Sequence, residues 1–294
     1  MSDHRTGLLL ALVGGLALSF DVPLVRLGGG ELWQTLALRS LSTFILGFLV
    51  WLVILCIHPR NPALRPGKAG LAAGICYGLS TITFLGGVFN TATANVVFIV
   101  AFTPMFAALF GWFFLREHLS RSTAITMALM ILGVGLIVSG GLAAGELLGN
   151  LSAIATAVLL AGAITIGRKS GTNLGLVPLA ATIIPGFVGF AMMDAGGLST
   201  VPAPFWVLLD GLLVLPLAFW CLATGPKYLS GPEVGMFYLL ETVLAPVWMW
   251  MIFGEEIHIR VLLGGVVLIL ALVGHALWQM RSRGSNESMT VQSG

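Results

Sequence analysis

The chain has 294 residues, 57% of them apolar and only 9% charged, with a net charge of +2 and a mean hydropathy of +1.01. Soluble domains carry roughly a quarter charged residues, so no soluble fold accounts for this balance. The basic residues are scattered and not gathered on one face, which argues against nucleic acid as a partner and leaves a lipid bilayer as the expected surroundings.

In chain order, Met1 to Thr6 lead straight into a long apolar run with no small-residue cleavage site after it, so the first span is expected to stay in the mature protein. Apolar runs broken by Gly, Pro and charged clusters then predict spans near 7–27, 34–57, 69–89, 93–115 and 122–140. Five more follow near 149–168, 175–194, 204–224, 232–253 and 260–280. Each is long enough to cross hydrocarbon, and unbroken runs of this length point to helices and not to barrel strands. Cys56, Cys76 and Cys221 all fall inside apolar segments and read as small core residues, not as a disulfide framework. After Arg283 the chain turns Ser-rich and loses apolar periodicity, so 282–294 is expected to be a disordered tail.

Lys and Arg set the expected orientation, because basic loops stay on the cytoplasmic side. With the amino terminus inside, the inner segments hold Arg5, Arg60, Arg65, Lys68, Arg116, Arg121, Arg168, Lys169, Lys227, Arg281 and Arg283. The outer ends hold only Arg26, Arg39 and Arg260. Both termini are therefore expected in the cytoplasm, which requires an even number of spans.

A faint internal repeat runs through the chain. A shift of 138 positions places Asn95 on Glu233, Val96 on Val234, Ala107 on Ala245, Trp112 on Trp250 and Glu117 on Glu255. A shift of 142 places Gly7 on Gly149 and Arg26 on Arg168. Two successive halves with an odd number of spans must face opposite ways. The expected fold is an all-α integral membrane protein of ten transmembrane helices, arranged as two five-helix inverted repeats over 1–144 and 145–281. Its solute site is expected between the halves near the midplane.

The run from Thr103 and Pro104 through Glu117 to Ile131, Leu132, Gly133 and Val134 is echoed by Glu241 and Thr242 through Glu255 to Leu268, Ile269 and Leu270. This pattern resembles the drug/metabolite transporter superfamily, specifically its EamA-type ten-helix exporters, and within them the YddG-type amino-acid exporters. The resemblance covers the chain to about Gln279. It departs in the second half, where Thr242 stands in place of the expected proline and Pro246 follows one turn later. It implies export of amino acids and related metabolites across a bacterial inner membrane by alternating access, without ATP. No P-loop, H-E-x-x-H, G-x-S-x-G or Cys/His cluster occurs in the sequence, so neither an enzyme nor a metal or cofactor is expected. A monomer suffices for this reading, since one chain supplies both halves of the crevice.

Ionisable groups within spans are costly and mark function or pairing. Three stand out: Asp21, Glu241 and His275. Glu241 lies about nine residues beyond Pro232, or ~14 Å at 1.5 Å per residue, near the middle of a ~30 Å core. It reads either as a proton or substrate-ammonium site or as a neutral acid bonded to backbone. Asp21 lies at a depth similar to that of Arg39 and reads as its ion-pair partner or as a substrate ligand, while His275 reads as a packing residue near the inner end. On the third span Tyr77, Ser80, Thr81 and Phe84 share one helical face, and Gly70, Gly74 and Gly78 form a packing seam on another. Asn95 and Phe98 align on the fourth span, and Phe237, Tyr238, Glu241 and Trp248 on the ninth. Aromatic and small polar groups facing one cavity suit small zwitterions with apolar side chains, although the same residues also serve as ordinary helix glue.

Pro23, Pro104, Pro185, Pro216 and Pro246 fall inside predicted spans, where each removes a helical hydrogen bond. Pro23, Pro104 and Pro246 are the candidate hinges, with a static bend as the alternative. Other readings are a nucleotide-sugar or drug-type carrier, whose anionic cargo favours Lys or Arg in the cavity, and, from a different class, a passive channel or membrane scaffold.

Overall fold

The computed structural model describes residues 2–58, 67–116, 121–143, 146–171, 174–224 and 231–292. Every regular element in them is helical. In chain order these are α1 (Ser2–Ser19), α2 (Asp21–Leu27), α3 (Leu32–Ile57), α4 (Gly67–Asn90), α5 (Thr93–Val100), α6 (Thr103–Leu115), α7 (Arg121–Ala143) and α8 (Leu147–Ser170). There follow α9 (Val177–Ala181), α10 (Ile183–Met192), α11 (Pro204–Leu209), a π-helical turn at Asp210–Val214, α12 (Leu215–Thr224), α13 (Gly231–Phe253) and α14 (Ile259–Gln292). Six helical stretches are long and apolar enough to cross a membrane, and four shorter apolar helices accompany them. They coincide with the ten spans read from the sequence.

Prolines account for most of the interruptions. A proline lacks the N–H that bonds four residues back and its ring crowds that carbonyl, so a helix breaks or bulges just before it. The first span divides at Phe20, three residues before Pro23, and the fourth divides at Ala101 and Phe102, just before Pro104. The seventh divides at Thr182 before Pro185, and the eighth carries its π-helical turn immediately ahead of Pro216. Only Pro246 sits in an uninterrupted helix, α13.

The packing has a regular order. Span three packs on span six (α4 on α8) and span one on span eight (α1 on α12). Span four packs on span six (α6 on α8) and span one on span nine (α1 on α13). Spans two and seven, four and nine, and five and ten also pair, through α3 with α10, α5 with α13 and α7 with α14. Exchanging each span with the one five places on maps this set of pairs onto itself. The main apolar core is built around α5, where Val96, Val97, Phe98 and Ile99 meet Met130, Ile137, Ala245, Met249 and Leu268. Outside it, large apolar side chains such as Leu71, Phe113, Phe187 and Trp250 are exposed, as lipid-facing positions require.

Small residues permit the close contacts between helices. Gly74 faces Val177 and Ala181 of α9, and Gly78 faces Ile184 of α10, so the glycine seam of the third span is a contact with the seventh. Between α7 and α14 the backbones themselves touch: a β-carbon on Gly133 would stand 2.9 Å from the carbonyl oxygen of Gly264, and one on Gly264 would stand 2.5 Å from that of Gly133. The last helix, α14, runs on to Gln292; no proline stops it, and extending a helix already formed costs little per residue.

The α7–α14 contact makes a paired forecast. Gly133→Ala is expected to lower the unfolding free energy in detergent by about 1–3 kcal/mol, since a backbone oxygen cannot move aside. A β-carbon on Gly135, on the same helix, meets nothing within 4 Å, so Gly135→Ala should be neutral or stabilising by up to about 1 kcal/mol through helix propensity. Equal effects of the two substitutions would remove the close approach from the account.

Candidate functional site

The first, second and eighth spans each bring one charged side chain to the same depth. Asp21 lies six residues before the end of α2, Arg39 seven residues after the start of α3, and Asp210 six residues after the start of α11. At 1.5 Å per residue each sits roughly 9–11 Å below the same end of the bundle. All three are buried, with the Asp210 side chain fully so and that of Arg39 4% exposed.

The guanidinium joins both acids. Arg39 Nη2 donates to Asp21 Oδ1 at 2.6 Å and Oδ2 at 2.7 Å, and Arg39 Nε donates to Asp210 Oδ2 at 2.7 Å. These are short, charge-assisted bonds, and the fork of Arg allows two acids to be held at once. Thr43 Oγ1 donates to the carbonyls of Arg39 and Gly211, both at 2.9 Å, tying α3 to the π-helical turn. Gly211 permits that approach: a β-carbon there would fall 2.2 Å from Ser42 Oγ and 2.7 Å from the Arg39 carbonyl oxygen.

Glu241 lies deeper, twelve residues from the end of α13 at Phe253, or ~18 Å along the helix. It is half-buried and lies within electrostatic reach of Asp21 and Arg39. Seven residues on, Trp248 donates from Nε1 to Ser19 Oγ at 3.1 Å and stacks on Phe20 with ring centroids 4.9 Å apart. Ser19 and Phe20 stand at the break between α1 and α2, immediately before Asp21, so α13 and the first span meet along this side of the site.

Toward the end of the bundle where Arg26 lies, a second polar group ties the two halves of the chain. Glu255 accepts from the Thr93 backbone N–H at 2.5 Å and from Thr93 Oγ1 at 3.3 Å. Glu146 accepts from Thr91 Oγ1 and Asn95 Nδ2, both at 2.7 Å. Arg26 donates to the carbonyls of Val88 and Thr91 and lies over the Phe89 ring.

The other sequence candidates fall into distinct places. Asn95 belongs to this second group, and Phe98 is buried against Gly265 in the main core. Ser80 and Thr81 both donate to the Tyr77 carbonyl, at 2.7 and 3.1 Å, while Tyr77 packs beside Ala73, Ala163 and Val177. Phe84 rests against the main core. Pro23 is buried within α2, and Pro104 is exposed at the start of α6. The side chains of Phe237, Tyr238 and His275, together with all of Glu117 and Lys227, lie outside the described residues. Asp210 was not anticipated. The signal for it was present, since it is an ionisable residue in the middle of the 204–224 apolar run, a position that marks function or pairing by default.

Among known proteins, residues 5–139 match the EamA-like transporter family. No curated protein matches the chain. A solved structure titled only "Crystal structure of protein" is similar in fold, with a TM-score of 0.63 and 15% sequence identity over 93% of this chain and 97% of that one. Residues 5–139 are therefore similar to a family of transporters, and the chain as a whole has a multi-span helical fold.

The geometry at Gly211 gives a direct check on the site. Gly211→Ala is expected to push the π-helical turn from α3 and to cost about 1–3 kcal/mol of stability, read as a lowered unfolding midpoint. An unchanged midpoint would mean that the contact holding Asp210 beside Arg39 is not tight.

Proposed function

We propose that the whole chain is a secondary carrier that exports small zwitterionic metabolites, foremost amino acids with apolar or aromatic side chains, across a bacterial inner membrane. In this reading residues 1–144 and 145–281 are inverted five-helix repeats, both termini are cytoplasmic, and the crevice between the repeats opens alternately to either face. The family match over the first repeat and the packing order that survives exchange of each span with the one five places on both support it. So does the distribution of Lys and Arg, and the finer placement among YddG-type exporters follows the same pattern of residues.

The observation that carries the choice of substrate class is the state of Arg39. Phosphorylated cargo such as a nucleotide sugar needs a cation free to receive it. Arg39 is already taken by two aspartates, and Arg26 is directed to backbone carbonyls. Among the described residues, Glu241, half-buried near mid-depth, can receive an ammonium group or a proton. An amino acid presents that ammonium, and the apolar surroundings suit its side chain.

Alternating access adds a role for the polar group at Thr91, Thr93, Glu146 and Glu255. It fastens one end of the bundle across the two repeats, and these bonds must part when that end opens. Proline-weakened positions in the first and fourth spans supply the places where the helices can bend.

Purified protein in liposomes should show saturable counterflow of labelled leucine or phenylalanine and none of a nucleotide sugar. Glu241→Gln should lower the rate of gradient-driven efflux by about tenfold or more, as loss of a charge-assisted bond to the cargo or proton implies. Counterflow of the nucleotide sugar alone, or ohmic current without saturation, would refute this reading. Cysteine labelling that places the two termini on opposite sides of the membrane would equally overturn the inverted repeat.

A further inference from the structure

Two acids and one base make an unequal set. With every group ionised, the buried Asp21, Arg39 and Asp210 carry a net charge of −1, and Glu241, within electrostatic reach of Asp21 and Arg39, adds to the excess. An uncompensated charge in such a place costs several kcal/mol, and proteins avoid it by pairing or by binding a proton.

The bonding pattern shows where the compensation is missing. Both oxygens of Asp21 accept from Arg39, and so does Oδ2 of Asp210. Asp210 Oδ1 is fully buried and has no hydrogen-bond partner. Asp21 and Asp210 are held on the same guanidinium, which brings their carboxyls together, but two carboxylates are both acceptors and cannot bond to each other. One proton on Oδ1 removes both difficulties: it turns the orphan oxygen into a donor toward Asp21, and it brings the triad to zero net charge.

We infer that Asp21 and Asp210 form a single proton-binding site, carrying one proton between them against Arg39, with the proton resting on Asp210 Oδ1. Of the elements packed on the π-helical turn, α2 brings Asp21 and α3 brings Arg39, while Arg26 of α2 is directed to the Val88 and Thr91 carbonyls and α12 carries the buried thiol of Cys221. Glu241 on α13 lies within electrostatic reach of Asp21 and Arg39. Loading transfers H+ from water on one side to the Asp210 carboxylate, and release returns H+ to water on the other, with no other bond made or broken. The coupling of this proton to cargo rests on the carrier reading above; its presence does not.

The test therefore reads the proton itself. Infrared spectra of the purified protein in lipid nanodiscs at neutral pH should contain a protonated buried carboxyl band. Labelling aspartate alone with carbon-13 at the side-chain carboxyl should shift that band, which needs no mutation and so no assumption about folding. The only other aspartates are Asp3 in the first residues and Asp194, which is exposed, and the Asp210→Asn variant assigns the band. Asp210→Asn should abolish the aspartate band, and Glu241→Gln should leave it in place. Aspartates that absorb wholly as carboxylate at neutral pH would overturn the inference, as would an aspartate band that survives Asp210→Asn. Loss of counterflow with the band intact would instead count against the carrier reading alone.

Discussion

A guanidinium held inside an oily helix bundle is the constraint around which the rest of this molecule is arranged. Arg39 cannot be left bare there, because the cost of stripping water from a charge is repaid only by close, well-directed partners. Asp21 meets it from the adjacent span and Asp210 from the other half of the chain. The second of these bonds fixes how the two halves sit together. It does so far more selectively than apolar contact, since lipid tails are as good a solvent for leucine as another helix.

The surroundings of Arg39 follow from that requirement. The π-helical turn at Asp210–Val214 adds a residue to the turn and re-aims the side chains ahead of Pro216. Gly211 then lets this turn lie directly against the backbone of α3, and Thr43 bonds across the contact. Along the same side of the bundle, the break before Pro23 exposes Ser19 to Trp248 on α13. Charge, backbone irregularity and small residues thus occur together, as expected where irregular backbone within a membrane must be buried against protein. The polar group around Glu146 and Glu255 repeats the theme nearer the end of the bundle, again joining residues from the two halves.

Much of this was legible in the sequence, and for definite reasons. The spans could be read because crossing hydrocarbon demands an uninterrupted apolar length, and the breaks because proline acts locally. Asp21 and Arg39 could be read as possible partners because they are opposite charges at similar depth, and in the structure they meet. The partnership of Asp210 was harder to see, since its span reaches Arg39 only through the three-dimensional order of packing and a π-helical turn that ordinary helix counting does not predict. Residues such as Asn95 and Phe98 share a face in the sequence, yet one bonds at the end of the bundle and the other fills the core. A helical face can be read from spacing; what lies opposite it cannot. The helical extension to Gln292 likewise has no apolar period to announce it.

A direct charge-assisted hydrogen bond from Arg39 to Asp210 across the two halves is tested most directly by a double-mutant cycle. Unfolding free energies would be measured in the same detergent or lipid for the native chain, Arg39→Gln, Asp210→Asn and the pair together. A direct bond predicts that the double mutant is less damaged than the sum of the singles, with a coupling of about 1.5–3 kcal/mol. Effects that add to within about 0.5 kcal/mol would show that the two side chains act independently, and would contradict the account.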